Sequence, residues 1–257
     1  MAEPIWLGAL ASLLAGSATV LGSVPVLHGG AVPDRWRDSL LGVAAGVMLA
    51  ATFFSLIQPA IALFAGRHGN RLLAAAAVSA GLAAGVLLVL LLERALANAY
   101  RWNGNRAGRG PIDSVWLFVA AVTLHNVPEG LAVGVGFGTG DVASGTAIAV
   151  GIGLQNMPEG LAVALALVTH GYGRWMSFAI AGLTGLVEAP AGLIGAGAIA
   201  LSQPLLPWAL ALAAGAMLFV IVQELIPESH RHGYRDHATV GLVAGFIVML
   251  LLDVAFA

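Results

Sequence analysis

Two stretches of the chain carry nearly the same polar side chains at the same spacing. Residues 125–133 read His-Asn-Val-Pro-Glu-Gly-Leu-Ala-Val, and residues 155–163 read Gln-Asn-Met-Pro-Glu-Gly-Leu-Ala-Val. Both lie inside long apolar segments, where a carboxylate at the centre of a lipid-embedded helix costs at least about 2.5 kcal/mol. Two such carboxylates, each accompanied by a proline and an asparagine, indicate a paired site for a cation.

The spacing places these polar groups on one side of each helix. His125 and Glu129 are four residues apart, so they lie on one helical face with Asn126 beside them. Gln155, Asn156 and Glu159 repeat this arrangement thirty residues later.

A proline inside each motif frees one backbone oxygen. Pro128 cannot donate to the Leu124 carbonyl, and Pro158 cannot donate to the Leu154 carbonyl. At membrane depth a freed carbonyl is tolerated only where protein, water or an ion satisfies it.

Further carboxylates lie next to prolines in later segments. Glu188 precedes Pro190 by two residues, and Glu224 and Glu228 lie on either side of Pro227. Imidazole, carboxylate and amide ligands suit Zn²⁺ and its first-row neighbours, and the chain has no cysteine to supply thiolates. A single buried glutamate is as often a structural polar residue, so the hypothesis depends on several of them converging with His125.

The composition indicates that lipid surrounds the elements that position these residues. Of the 257 residues 59% are hydrophobic and 9% are charged, and the mean hydropathy is +0.92. Few basic residues, scattered among apolar stretches, argue against nucleic acid as a partner. The N-terminus lacks the positive region of a secretory signal, so the first apolar stretch is expected to be retained.

A window of about 20 residues, matched to a hydrocarbon core about 30 Å thick, predicts an all-α polytopic membrane protein with eight spans in one transmembrane domain, residues 1–257. The linker 98–113 is rich in Gly, Asn and Arg and is expected to be mobile. The predicted spans cover residues 5–27, 39–65, 71–99, 114–138, 143–170, 175–200, 204–228 and 237–256.

The arginines predict the orientation of the bundle. Each connection is numbered by the span that precedes it. The chain has eleven arginines and no lysine, and only Arg67 and Arg71 lie in an even-numbered connection. The positive-inside rule therefore places the odd connections in the cytoplasm and both termini outside. The other nine are Arg35, Arg37, Arg94, Arg101, Arg106, Arg109, Arg174, Arg231 and Arg235.

A second repeat relates residues 44–59 on span 2 to residues 213–228 on span 7. Spans 2 and 7 cross in opposite directions, as do spans 4 and 5, so both repeats are inverted. This predicts a three-plus-two-plus-three arrangement around a pseudo-two-fold axis in the membrane plane, a plan used by many secondary transporters. The alternative is that Gly- and Ala-rich spans resemble each other by composition.

The paired motifs His-Asn-x-Pro-Glu-Gly and Gln-Asn-x-Pro-Glu-Gly resemble those of the ZIP (Zrt/Irt-like) divalent-metal transporters, and above all their bacterial GufA-type branch. The similarity extends to Glu-Ala-Pro at 188–190 and Glu-Leu-Ile-Pro-Glu-Ser-His at 224–230. It implies a two-metal centre on spans 4 and 5, and movement of one helix group against a scaffold in an elevator-like alternation.

The resemblance assigns ligands residue by residue. One metal site would use His125, Glu129 and Glu159. The adjoining site would use Asn126, Gln155, Asn156, Glu159 and Glu188, so that Glu159 bridges the two sites. The transport path would include Met48, Ser55, Met217 and Glu224, and the sequence adds Glu228, His230 and His232 at its cytoplasmic end.

Two departures from the family pattern affect these expectations. The connection 98–113 lacks the histidine-rich run that many relatives carry there, which argues against a metal-sensing loop. Some relatives have Asp where this chain has Asn156. The second site therefore has one formal charge fewer, and we expect weaker metal binding or an auxiliary role there.

The sequence thus predicts a transporter that moves divalent metal, Zn²⁺ first, into the cytoplasm across the plasma membrane. Metal is the substrate, no organic cofactor is expected, and a homodimer is the assembly considered. An intramembrane metalloprotease is one alternative, although no His-Glu-x-x-His motif occurs. A proton- or sodium-coupled carrier of small solutes is the other, because it would also use buried carboxylates.

Overall fold

The computed structural model describes residues 2–28, 32–106 and 114–256. Within these ranges the regular structure is helical, without a strand, and eight segments are long and apolar enough to cross a membrane. The predicted all-α fold with eight membrane-crossing helices is confirmed. We call the segments spans 1 to 8: Glu3–His28, Asp34–Arg67, Arg71–Ala95, Phe118–Gly138, Val142–Thr169, Arg174–Leu201, Leu206–Ser229 and Arg235–Ala255.

Four spans lie within unbroken α-helices, which are Arg71–Arg106, Ser114–Gly138, Val142–Thr169 and Arg235–Phe256. The other spans contain more than one helical piece. Span 1 is Ala2–Ser23 with the 3-10 turn Val24–His28, and span 6 is Arg174–Gly185 followed by Glu188–Leu201. Span 2 consists of Asp34–Ala51, Thr52–Ile57 and Gln58–His68. Span 7 begins after the 3-10 turn Gln203–Leu205 and consists of Leu206–Val220, Ile221–Leu225 and Ile226–Ser229.

The middle pieces of spans 2 and 7 are π-helical. Each is followed by a proline, Pro59 or Pro227, whose missing N–H leaves the preceding turn one backbone donor short. The Thr52 hydroxyl donates to the Met48 carbonyl at 2.7 Å, where the helix changes its pitch. π-Helical turns are rare and frequently lie at functional sites, which draws attention to Ser55 and Glu224 within them.

One expectation about the connections needs correction. The helix that carries span 3 continues to Arg106, so residues 98–106 are helical rather than part of a loop. No proline occurs in residues 71–110, and a helix that has already formed extends at little cost through residues that tolerate it. The rest of the predicted linker, residues 107–113, lies outside the described residues.

The spans pack as two groups. Spans 1, 4, 5 and 6 contact one another extensively, and we call them the central group. Span 2 packs along span 8, span 3 packs along span 7, and spans 2 and 7 meet at their π-helical turns. We call spans 2, 3, 7 and 8 the flanking group.

Glycines bring helix backbones into direct contact within the flanking group. A Cβ added at Gly46 of span 2 would collide with the Leu242 carbonyl of span 8. A Cβ added at Gly215 of span 7 would collide with the Leu82 carbonyl of span 3. Close backbone approach through small residues is a main source of helix association in lipid.

Glycine contacts also separate the two groups. Inside the central group, a Cβ at Gly134 would collide with the backbone of Gly192. Among the described glycines, only Gly151 closely approaches the other group, and there it meets the side chains of Met249 and Val47. Backbones are therefore in contact inside each group, whereas the groups meet through side chains.

Candidate metal centre

The repeated motifs bring their polar side chains together where spans 4 and 5 cross. His125 is 3% exposed and Glu159 is 4% exposed, and Glu129, Gln155 and Asn156 are fully buried. Both helices run through their internal prolines without a break. The four-residue spacing therefore holds, and it directs each motif toward the other span.

Three side chains form the most compact cluster. Nε2 of His125 lies 3.5 Å from Oε1 of Glu129 and 3.5 Å from Oε1 of Glu159. One ligand atom from each residue lies within 4.8 Å of the others. Ligands held about 2.0–2.2 Å from one tetrahedral Zn²⁺ lie about 3.4 Å apart, so this spacing fits a single metal ion.

A carboxylate from the flanking group orients the histidine of this cluster. Nδ1 of His125 lies 3.4 Å from Oε2 of Glu224, which belongs to the π-helical turn of span 7. A proton on Nδ1 shared with Glu224 leaves the Nε2 lone pair directed at Glu129 and Glu159. Histidines that bind metals commonly have this carboxylate partner on the other ring nitrogen.

A second polar cluster adjoins the first through spans 5 and 6. The Asn156 amide donates to Oε1 of Glu188 at 2.7 Å and to the Ala15 carbonyl at 2.9 Å. Glu188 is fully buried at the start of the second helix of span 6. Since Gln155 donates to Oε1 of Glu129, the two clusters share a boundary on span 5.

The side-chain amide groups of the two clusters use their N–H groups in hydrogen bonds and leave their oxygens without a hydrogen-bond partner. Asn126 donates its N–H to the Thr184 carbonyl at 2.8 Å, and Gln155 and Asn156 likewise use their N–H groups on protein acceptors. The amide oxygens, which are the atoms that could bind a cation, stay unbonded.

Buried side-chain atoms without a hydrogen-bond partner concentrate in these two clusters. Elsewhere in the described part of the chain, Thr19 Oγ1 is the one further example. Leaving so many polar atoms unsatisfied in an apolar environment is costly, and a divalent cation would satisfy them together. The atoms are His125 Nε2, Asn126 Oδ1, Glu129 Oε2, Gln155 Oε1, Asn156 Oδ1, both carboxylate oxygens of Glu159, and Glu188 Oε2.

Comparison with known proteins identifies the family. The sequence model of the family described as "ZIP Zinc transporter" matches residues 105–253, more than half of the chain. The zinc transporter GufA of Myxococcus xanthus is 43% identical, over 96% of this chain and 98% of that protein. This chain belongs to the ZIP family.

Other relatives extend the match across distant organisms. The zinc transporter ZIPB of Bordetella bronchiseptica is 43% identical over 93% of this chain and 78% of its own length. The zinc transporter ZIP11 of Bos taurus is 34% identical over 98% of both chains. These relatives are named as transporters, so this ZIP protein is a multi-pass membrane transporter and not an enzyme, which removes the metalloprotease alternative.

The remaining residues predicted for the path have their closest partners outside the two clusters. Met48 and Met217 are buried in the apolar core. Glu228 pairs with Arg231 at 3.3 Å. Nδ1 of His230 lies 2.7 Å from the Ile226 carbonyl, and Nδ1 of His232 lies 2.8 Å from the buried Asp38 carboxylate.

Cavities of very different size lie at the two ends of the bundle. A cavity of about 20 Å³, lined in part by His125, Glu159, Glu224 and Glu228, extends from the first cluster toward the odd connections. At the end of the even connections, a cavity of about 770 Å³ reaches Ser55. There the Ser55 hydroxyl donates to Asp253 of span 8 at 2.8 Å.

Sequence reasoning missed Glu93 and Asp253, which lie on the flanking spans 3 and 8. The Glu93 carboxyl interacts with Glu224. Both acids follow runs of apolar residues in the sequence, at a place where a charged residue commonly lies at the membrane surface. A repeat could have revealed them, because residues 81–95 and 241–255 share Gly-Leu-x-Ala-Gly and then Leu-Leu-Leu followed by an acid.

Proposed function

We propose that this ZIP protein carries Zn²⁺ and related divalent ions, Cd²⁺ among them, into the cytoplasm through the buried centre on spans 4 and 5. The observation that carries the proposal is the set of unsatisfied nitrogen and oxygen atoms in that centre. These atoms come from an imidazole, carboxylates and amides, a donor set suited to Zn²⁺. The carboxylates also balance a divalent charge that hydrocarbon would not solvate.

The centre holds two metal ions in this proposal. His125, Glu129 and Glu159 bind the first ion, at the separations described above. Glu159 bridges to the second ion, since neither of its carboxylate oxygens has a hydrogen-bond partner. The second ion is completed by the ligands Asn126, Gln155, Asn156 and Glu188.

The arginines support the orientation of the bundle on which the proposed direction of transport depends. Nine of the eleven lie in odd connections, so the positive-inside rule places that end in the cytoplasm and both termini outside. The large cavity at Ser55 then opens outward, and the small cavity at Glu224 and Glu228 leads inward. In this orientation, in the plasma membrane, the route runs from outside to cytoplasm.

Movement of the central group against the flanking group delivers the ions. All seven proposed ligands lie on spans 4, 5 and 6, within the central group. The glycine contacts favour this division, because backbones touch inside the groups and side chains meet between them. Sliding across the boundary at Gly151 therefore disturbs flexible side chains such as Met249 and leaves the close backbone contacts intact.

Matched packing supports the inverted repeat. Span 2 packs on span 8 as span 7 packs on span 3, and span 1 packs on span 5 as span 6 packs on span 4. The contact of Gly46 with the Leu242 carbonyl has its counterpart in the contact of Gly215 with the Leu82 carbonyl. Corresponding positions in the two repeats thus make corresponding contacts, which composition alone does not require.

Zinc uptake into sealed proteoliposomes tests the proposal. We expect the purified protein to accumulate Zn²⁺ when no proton or sodium gradient is imposed. Uptake of small solutes is measured in parallel, with and without such a gradient. Glu129→Gln serves as the matched variant, because it keeps the size of the side chain and removes one proposed ligand charge. Solute uptake that requires an ion gradient, without metal uptake, would favour the coupled carrier and overturn the proposal.

A further inference from the structure

One buried side-chain atom outside the two clusters also lacks a hydrogen-bond partner. The Thr19 side chain on span 1 is 1% exposed, and its hydroxyl bonds to no atom of the described part of the chain. The other seven threonines each donate to a backbone carbonyl three or four residues earlier, which is a common way for a threonine to satisfy its hydroxyl in a helix. The Thr19 oxygen is thus available to another partner.

Thr19 lies against the part of span 5 that carries the proposed ligands. Four residues before Thr19, the Ala15 carbonyl accepts from the Asn156 amide at 2.9 Å. A Cβ added at Gly160 would collide with the Thr19 carbonyl, and Gly160 directly follows Glu159. Span 1 and the motif of span 5 are therefore in direct contact at the turn that ends in Thr19.

The asparagines of the two motifs reveal a symmetry around the centre. Asn156 of span 5 donates to the Ala15 carbonyl of span 1 at 2.9 Å. Asn126 of span 4 donates to the Thr184 carbonyl of span 6 at 2.8 Å. Since Asn126 and Asn156 are corresponding residues of the repeated motif, the two carbonyls are corresponding positions of spans 6 and 1.

The residue of span 6 that corresponds to Thr19 is Glu188. Each of these residues lies four positions after the carbonyl that accepts from an asparagine. The glycines of the motifs give the same correspondence. A Cβ at Gly160 would collide with the Thr19 carbonyl, and a Cβ at the equivalent Gly130 would collide with the Glu188 carbonyl. Span 1 therefore places a hydroxyl where span 6 places a carboxylate.

The symmetry divides the polar residues of the centre into two halves. Nε2 of His125 lies 3.5 Å from Oε1 of Glu159. At the corresponding position, Gln155 donates to Oε1 of Glu129. We call the two sets the imidazole half, which consists of His125, Asn126, Glu159 and Thr19, and the amide half, which consists of Gln155, Asn156, Glu129 and Glu188.

A neutral ligand suits the ion on the imidazole side of the centre. Glu129 and Glu159 together carry the two negative charges that balance one divalent ion. A third carboxylate at that ion would leave an excess charge buried in an apolar environment, which is costly. A hydroxyl supplies one more oxygen without adding charge, whereas Glu188 supplies charge that the second ion needs.

We infer that the Thr19 hydroxyl is a further oxygen ligand of the ion bound by His125, Glu129 and Glu159. This inference rests on the proposed function and adds a residue of span 1 to the centre. Mn²⁺ prefers oxygen ligands, whereas Zn²⁺ also suits imidazole. The Thr19 oxygen therefore broadens the range of ions that the centre accepts, from Zn²⁺ toward Mn²⁺.

Two substitutions of Thr19 separate its oxygen from its shape. Thr19→Val keeps the branched shape and removes the oxygen, whereas Thr19→Ser keeps the oxygen and removes the methyl group. Calorimetric titration of the detergent-solubilised proteins with Zn²⁺ and with Mn²⁺ measures each affinity. We expect Thr19→Val to lower the Mn²⁺ affinity about tenfold and the Zn²⁺ affinity less, and Thr19→Ser to retain both affinities.

Thermal unfolding gives an independent readout. Because the Thr19 hydroxyl has no hydrogen-bond partner in the protein, Thr19→Val removes a buried unpaired group, and the Tm of the metal-free protein should stay unchanged or rise. Added Mn²⁺ should raise the Tm of this variant less than that of the wild type. Thr146→Val is the matched control, since the Thr146 hydroxyl on span 5 already donates to the Val142 carbonyl at 2.7 Å, and it should bind both metals as the wild type does.

The outcomes separate the inference from the function on which it rests. Unchanged affinities in Thr19→Val would overturn the ligand role, while zinc uptake by the wild type keeps the proposed function. Equal losses for both metals, a similar loss in Thr19→Ser, or a lower Tm of metal-free Thr19→Val would also overturn it, because Thr19 would then act through packing. Wild-type protein that takes up no zinc would instead overturn the proposed function, and the inference with it.

Discussion

At the scale of single residues, Asn156 supplies a neutral amide to the candidate centre where an aspartate would supply a charge. Its N–H group donates to both the Ala15 carbonyl and Oε1 of Glu188, and its oxygen has no hydrogen-bond partner. The neighbouring Glu159 contributes two unsatisfied carboxylate oxygens and the centre's only proposed bridge. The two residues therefore differ in what their loss should do.

We predict that Glu159→Ala abolishes zinc uptake and lowers the number of bound metal ions at both sites, because it removes the bridge. Asn156→Ala removes a single neutral oxygen and should cost less in both measurements. Metal stoichiometry by equilibrium dialysis, beside liposome uptake, gives the comparison. Equal losses in the two variants, or good transport by Glu159→Ala, would show that the two-metal arrangement is wrong.

Asn156→Asp tests the missing charge of the second site. An added carboxylate should tighten metal binding there and leave turnover unchanged or slower, since a transport site must also empty. Without metal the new carboxylate faces Glu188 and no longer donates to it, so the gain should depend strongly on pH. Calorimetric titration at two pH values measures this, and unchanged affinity at both would remove Asn156 from the metal site.

At the scale of elements, glycine contacts fix which helices pack together. Gly215 joins span 7 to span 3 so closely that a side chain there has no room. Gly197 of span 6 also lies inside a transmembrane helix, but a Cβ at this position would meet nothing within 4 Å. Substitutions at Gly215 and Gly197 therefore separate the effect of packing from the general effect of replacing a helical glycine.

We predict that Gly215→Val destabilises the protein by at least about 1–3 kcal/mol through overpacking, because the neighbour is backbone and does not move aside. Gly197→Val should change stability little. Thermal unfolding in detergent compares them, and each kcal/mol should shift Tm by about 2–4 °C in a chain of this size. Similar Tm values for both variants would contradict the tight packing of spans 3 and 7.

At the scale of the whole molecule, orientation decides what the two cavities mean. The contacts place Thr139 at the end of the large cavity, and Gly173 lies in the connection between spans 5 and 6 at the opposite end. The route proposed above runs inward only if the large cavity faces outside.

Cysteine labelling checks this orientation. The natural chain has no cysteine, so each introduced thiol is the only one. We predict that Thr139→Cys reacts with an impermeant reagent added outside intact cells, and that Gly173→Cys reacts only when the cytoplasm is opened. The reversed pattern would overturn the orientation and the direction of transport.

Several features of this molecule could be predicted from its sequence. A bilayer of fixed thickness requires apolar helices of about 20 residues, so hydropathy alone gave eight spans. Helical geometry alone placed His125 and Glu129 on one face. The helical stretch through Arg106 was missed, because a run of Gly, Asn and Arg at the end of an apolar span is typical of a loop and does not itself end a helix.

Only the tertiary structure decided how the spans group and which distant acids reach the route. In a soluble helix, hydrophobic periodicity marks the buried face, but lipid is as apolar as a protein core. The pattern therefore does not show which face of spans 3 and 8 turns inward, and Glu93 and Asp253 looked like the ends of apolar runs. Their inward placement is fixed by glycines such as Gly85 and Gly245, which press onto backbones far away in the sequence.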